Sequence, residues 1–279
     1  MKKGLSDAVF IPDWDTGKFL SEAKKAGFEG VELNIREAEG DLTLNTAPAE
    51  ARAVARMAEE LDLELPTLTT GLLNHYSLSS GDHALRARGE EIASHMIEIA
   101  SEMGTKVVQL VPGVVTTETC YDEAYSLAQE TLSRLATRAS SCNVTIAIEN
   151  VCNKFLPSAL EFTRFLDEIN HPSLQAYFDN GNALVTGFPE HYVSLLGTRI
   201  VAMHLKDYRA NAGDFVPILE GDTNWPVMMK AINDIPYTGY VIATPPYKYA
   251  CGACLEHLVN STSANLTAIF ALTENQIIQ

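Results

Sequence analysis

No stretch of this 279-residue chain is apolar for long enough to cross a bilayer, so a membrane-spanning protein is not expected. Cysteine is scarce. Cys120, Cys142, Cys152, Cys251 and Cys254 are too few and too scattered to form a disulfide framework, and they fit a reducing cytoplasm. Lys2 and Lys3 have no long apolar run behind them, so a secretory signal is not expected and the glycosylation triplets at Asn143, Asn260 and Asn265 carry no consequence. Basic residues are in the minority, with 20 Lys and Arg against 36 Asp and Glu and a formal net charge of -16. Such a surface repels phosphate backbones, which argues against a nucleic-acid partner. A glycine-rich phosphate turn is also missing from Phe10-Ile11-Pro12-Asp13-Trp14-Asp15, where a doubly wound open sheet would carry one. Linkers, low-complexity tracts and composition shifts are absent too, so residues 1–279 read as one domain.

What is present is an alternation. Short apolar or β-branched runs at residues 30–35, 63–70, 106–111, 144–149, 174–179, 200–205 and 240–244 predict seven strands, and a weaker eighth is expected at 5–11. Segments of helical length separate them, at 16–26, 48–61, 84–103, 121–140, 158–169, 189–196 and 225–233, with a last one at 255–272. Gly27 and Gly104 stand where a left-handed residue closes a helix, and Pro48 and Pro189 stand at first-turn positions. Eight strand–helix units with right-handed crossovers predict an α/β fold, a single (β/α)₈ TIM barrel.

In such a barrel the chemistry gathers where strands run out into loops on the C-terminal side. Glu149 ends the run Val144 to Glu149, Asp179 closes Gln175-Ala176-Tyr177-Phe178-Asp179, and His204 lies near the end of Ile200 to Leu205. A carboxylate closing a strand buried on both faces needs a cation or hydrogen-bond donors. Taken singly, each more often caps the next helix or pairs with an arginine. Three on successive strands form a mixed oxygen and nitrogen donor set suited to Mn²⁺, Mg²⁺, Co²⁺ or Zn²⁺. Glu32, at the end of an early strand, can orient a substrate hydroxyl, and His75 lies in a loop from which it could reach substrate. Lys206 and Arg209 follow His204 closely enough to meet a phosphate at the mouth, and Lys248 follows the last strand. Trp225 is expected to begin a helix and pack under the rim. Cys251 and Cys254 have redox spacing, but they come late in the chain and read as ordinary thiols.

Ile148-Glu149-Asn150-Val151, Phe178-Asp179-Asn180-Gly181-Asn182 and His204-Leu205-Lys206-Asp207 resemble the sugar phosphate isomerase/epimerase family of xylose-isomerase-like barrels. Phe28-Glu29-Gly30-Val31-Glu32, Val111-Pro112-Gly113 and Glu220-Gly221-Asp222 extend the likeness over nearly the whole chain. The resemblance implies a divalent-metal-dependent isomerase or epimerase of a ketose or sugar phosphate, in a homodimer or homotetramer. It implies Glu149, Asp179 and His204 as ligands, Glu149 as a base, and a second glutamate from the final strand. That strand reads Tyr240-Val241-Ile242-Ala243-Thr244, so Thr244 stands where glutamate is expected, and Asn182 replaces the family's usual histidine. A threonine hydroxyl has no useful basicity near neutral pH. Three readings stay open: the isomerase or epimerase, a barrel of the same ancestry with hydrolytic or dehydrating chemistry, and an inactive sugar-binding relative. The base-excision endonuclease branch would need further histidine ligands and a basic DNA-facing surface, and the sequence shows neither.

Overall fold

Polar caps and left-handed stops divide the chain into its elements. The side chains of Asp15, Asp82, Ser158 and Asn224 accept backbone amides at the starts of their helices, and Gly104 (φ 77°) and Asn170 (φ 46°) turn the chain out of two others. The computed structural model describes residues 1–11, 13–246 and 254–272, so Lys248 and Cys251 lie outside the described residues. Its first seven strands are β1 (Lys2–Ser6), β2 (Gly30–Asn34), β3 (Glu64–Thr69), β4 (Val107–Leu110), β5 (Thr145–Glu149), β6 (Leu174–Asp179) and β7 (Ile200–Leu205). A small antiparallel hairpin of β8 (Asp207–Arg209) and β9 (Asp214–Val216) follows, and then β10 (Tyr240–Ala243). All but the hairpin pair in parallel and close a barrel in the order β1-β10-β7-β6-β5-β4-β3-β2. The expected (β/α)₈ architecture is therefore present.

Helices fill the connections: α1 (Thr16–Lys25), α2 (Pro48–Glu60), α3 (His83–Met103), α4 (Tyr121–Ser141), α5 (Ala159–Ile169), α6 (Asn180–Thr186), α7 (Pro189–Leu196), α8 (Trp225–Asn233) and α9 (Leu255–Phe270). All bury apolar residues against the rest of the fold, and the short α6 also buries Asn180 and Asn182. In α5, Phe162, Phe165 and Leu166 recur at helical spacing and are buried, each contributing about 1.5–3 kcal/mol of transfer free energy.

The first strand corrects the expectation at residues 5–11. It runs earlier, with Lys2 paired to Tyr240 and Ser6 to Glu32. Its two lysines lie at the bottom rim, where Lys2 Nζ meets Glu64 and Lys3 Nζ reaches Ser263, so charge at the start of this strand costs little. The apolar residues that drew the prediction later in the chain are used differently. Phe10 stacks on Trp14 and Phe19 in the loop and helix that follow.

Alternation along each strand splits the core in two. Ile146, Ile148, Phe178, Met203 and Leu205 join the large cluster beneath the helices, while Ala147, Tyr177 and Ala202 form a separate cluster inside the barrel. The two alanines on flanking strands leave room for the Tyr177 ring, which is fully buried. Above this layer the inward residues become polar, and they form the floor of the cavity described next.

Candidate functional site

Register brings the polar side chains together. Asp179 lies directly beside His204 across β6 and β7, and Glu149 lies beside Tyr177 across β5 and β6. Ligand-type atoms of Glu149, Asp179 and His204 fall within 4.8 Å of one another, and all three residues are buried. They stand on the C-terminal side of the barrel, as the strand ends required. A cavity of about 270 Å³ opens over Glu149 and His204, with Gln109, Asn182, Lys206 and Thr244 among its walls.

A hydrogen-bonded chain crosses the barrel beneath it. Thr69 Oγ1 donates to Gln109 Oε1, and Gln109 Nε2 donates to Glu149 Oε2 at 2.7 Å. Glu149 Oε1 lies 2.9 Å from His204 Nδ1, and His204 Nε2 lies 2.9 Å from Glu32 Oε1. Glu32 Oε2 then accepts the hydroxyls of Thr67 and Tyr177, both at 2.8 Å. Burial works against charge on His204, but Glu32 and Glu149 on its two edges outweigh it and raise the imidazole to about 10. For the same reason both glutamates are held below the usual carboxylate range against the opposing effect of burial.

Asp179 has two tasks. Its Oδ1 accepts the Asn182 amide at 2.8 Å and caps α6, a short helix that sequence periodicity gives no sign of. Its Oδ2 takes the Lys206 ammonium at 2.6 Å and lies 3.9 Å from His204 Nδ1. Burial disfavours the Lys206 charge, yet Asp179 and Glu149 outweigh that and raise its pKa. Gly181 makes the approach of Lys206 possible, because a Cβ there would come within 2.5 Å of the lysine Cγ. Lys206 Nζ also sits 4.8 Å from the Phe215 ring centre, which explains one role of the unpredicted hairpin.

The other predicted residues divide. Asn182 lines the cavity and is pinned by its Nδ2 bond to the Asn150 carbonyl at 2.9 Å. Glu32 is fully buried and is among the residues lining the cavity, with one oxygen against the His204 imidazole and the other accepting the Thr67 and Tyr177 hydroxyls. His75 is exposed and packs edge-on against Tyr76, while its neighbour Asn74 lines the cavity. Arg209 is exposed, and its guanidinium donates to the Glu220 carbonyl across the hairpin turn. Trp225 begins α8 under the rim as expected, and its indole N–H donates to the buried Asp207 at 3.1 Å. Gln109 was missed by the sequence reading. A polar residue two from the end of an otherwise apolar strand was the one available signal.

Thr244 follows β10 and is held by its amide bond to the Leu205 carbonyl at 3.0 Å. Its hydroxyl is buried in the cavity wall and has no hydrogen-bond partner among the described residues. Beside it, Val9, Phe215, Pro245 and Pro246 build a second, largely apolar lobe of about 200 Å³ that shares Ser6, Ala8, Lys206 and Thr244 with the first.

The donor set suits a divalent ion. Two carboxylates and an imidazole converge from three adjacent strands, and Lys206 already answers the demand for positive charge at Asp179. Comparison with known proteins bears on the fold and family. The model of the family described as xylose isomerase-like TIM barrel matches residues 20–260. L-ribulose-5-phosphate 3-epimerase UlaE of Salmonella typhi is 27% identical over 222 residues, covering 79% of this chain and 78% of that protein. Among solved structures, a D-psicose 3-epimerase crystallised in the presence of D-fructose superposes with a TM-score of 0.81 at 18% identity, over 98% of this chain and 100% of that one. The D-psicose 3-epimerase of Clostridium cellulolyticum H10 with D-tagatose gives 0.80 at 16% identity, over 98% and 99%.

Proposed function

The chain belongs to the xylose isomerase-like TIM barrel family, and from that premise we propose that it is a sugar or sugar-phosphate isomerase or epimerase dependent on a divalent metal. The observation that carries this reading is the convergence of Glu149, Asp179 and His204 at the C-terminal end of the barrel, with Glu149 and His204 lining the cavity there. On this reading it takes a ketose and removes the proton next to the carbonyl, through an enediolate. Glu149, Asp179 and His204 hold the ion, and when bound it supplies Lewis-acid polarisation of the carbonyl and offsets the charge that develops there.

Glu149 is the base. Its Oε2 is fixed by Gln109, and this bond and its partner at His204 aim the carboxylate at the cavity without rotamer search. Burial would push its carboxyl up, but the neighbouring His204 and Lys206 charges outweigh it and keep the carboxylate ionised. Asn182 and Lys206 line the space beside it and contact substrate hydroxyls or a phosphate.

Thr244 supports a second reading. Epimerisation needs a proton delivered to the face opposite the one it left, and a threonine hydroxyl on the facing wall cannot act as a base. An inactive sugar-binding relative, or a barrel with other metal-assisted chemistry, also accounts for that residue. Incubating the metal-loaded protein with a panel of ketoses and ketose phosphates in heavy water separates these. Loss of the C–H signal beside the carbonyl is the expected outcome. A panel that binds without any exchange would overturn the isomerase and epimerase reading together.

A further inference from the structure

Resting on the metal reading above, we propose that Glu32 is the positioning residue of His204, holding the ring so that Nδ1 faces the metal ligands and Nε2 faces away. The residue comes from β2, on the far side of the barrel from the ligand strands, and no part of it reaches solvent. Both its oxygens are engaged by protein groups. Oε1 takes His204 Nε2 at 2.9 Å, and Oε2 takes Thr67 Oγ1 and Tyr177 OH at 2.8 Å each.

The opposite edge of the imidazole carries the complementary geometry. Nδ1 lies 2.9 Å from Glu149 Oε1 and 3.9 Å from Asp179 Oδ2, so once an ion displaces the Nδ1 proton, the lone pair of the Nε2–H tautomer is on the side of the two carboxylates that complete the donor set. The ring cannot easily turn, because Tyr177 packs against it with centroids 4.3 Å apart. Tyr177 thus fixes both the ring and the carboxylate that orients it. A carboxylate accepting the distal N–H fixes the tautomer of a ligating imidazole and increases its basicity toward the ion. A bare carboxylate buried at this depth would be costly, and three donors converging on it show that the site is built to keep it there.

Cobalt titration tests the assignment without reference to turnover, using the intact chain stripped by chelator and reading the visible d–d band. Glu32→Gln keeps the volume and one acceptor but removes the charge. Its Co²⁺ affinity is expected to fall about 10- to 100-fold with an altered band, while the circular dichroism spectrum stays that of the parent. Thr67→Val serves if Glu32→Gln fails to fold. It leaves the charge and removes one anchoring donor, and a smaller loss of affinity, at least about threefold, is expected. Parent-like Co²⁺ affinity and band in folded Glu32→Gln, or in Thr67→Val where the first variant does not fold, would overturn the positioning role alone. A parent protein that takes up no Co²⁺ would overturn the metal reading itself, and the assignment with it.

Discussion

Metal uptake should compete with a proton on His204. The two glutamates flanking the ring raise it to about 10 in the metal-free chain, so the imidazole is protonated throughout the neutral range. A ligating nitrogen must first lose that proton. At about pH 7.5 the competition costs about 3 kcal/mol, from the conversion of a pKa difference into free energy. The apparent affinity for Mn²⁺ or Co²⁺ should therefore rise about tenfold per pH unit from roughly pH 6.5 to pH 8.5, with about one proton released per ion. Calorimetric titration in two buffers of different ionisation enthalpy reads the proton count directly, and chelator competition reads the affinity. The metal-free chain supplies a check of opposite sign. A histidine raised above its ordinary 6.5 contributes stability that is complete below that value and is lost as pH rises through about 10. The melting temperature of the stripped protein should fall over that window, and His204→Gln should flatten the fall. Metal affinity that differs by less than about threefold between pH 6.5 and 8.5 would refute the reasoning, because nothing would then be displaced from the ring.

Further outcomes follow from the same geometry. Glu149→Gln should reduce proton exchange from a bound ketose by at least about a hundredfold, measured by proton NMR in heavy water, and retained exchange would move the base elsewhere. Arg36→Met should destabilise the fold by about 3 kcal/mol in urea titration, because Arg36 Nη1 lies 3.0 Å from the buried Asp7 and its loss leaves that carboxylate with the neutral Asn34 donors in place of a cation. Thr244→Val should be neutral or stabilising by up to about 1 kcal/mol in the same assay, since the hydroxyl it removes is buried and unpartnered among the described residues. A loss of more than about 1 kcal/mol there would mean that the hydroxyl is satisfied in solution.

The barrel could be read from the sequence because its strands are buried on both faces and its helices carry clear stops, so each element announces itself within a few residues. Local signal failed where tertiary context decides. Ala8, Val9 and Phe10 look like a strand by apolarity, yet the closing edge of the barrel pairs Lys2 to Ser6 with β10 and β2, and Phe10 packs in the loop. The β8–β9 hairpin and the α6 turn are too short to carry a period of their own. At the site, strand position was enough to bring Glu149, Asp179 and His204 together on the page. What Glu32 touches was not, since a carboxylate facing into a closed barrel meets partners as far away in sequence as His204. The caution that a strand-end carboxylate often caps a helix also proved apt: Asp179 does so while its other oxygen faces the ligands. Arg209 was singled out by nearness to His204 and His75 by its loop, and the structure leaves both exposed, with Arg209 bonded to the Glu220 carbonyl and His75 packed on Tyr76.

The rim of this barrel is unequal in how freely it can change. Asp179 starts a helix, Glu149 ends a hydrogen-bonded chain that reaches β3, and His204 spans the interior to β2, so replacing any of them disturbs the scaffold along with the chemistry. The Thr244 hydroxyl makes no hydrogen bond among the described residues. Mutational drift therefore breaks no side-chain hydrogen bond among the described residues at this position on the cavity wall. A barrel organised in this way can gain, lose or exchange a reaction at residue 244 while its architecture stays the same, which makes that position the natural starting point for redirecting the enzyme by directed evolution.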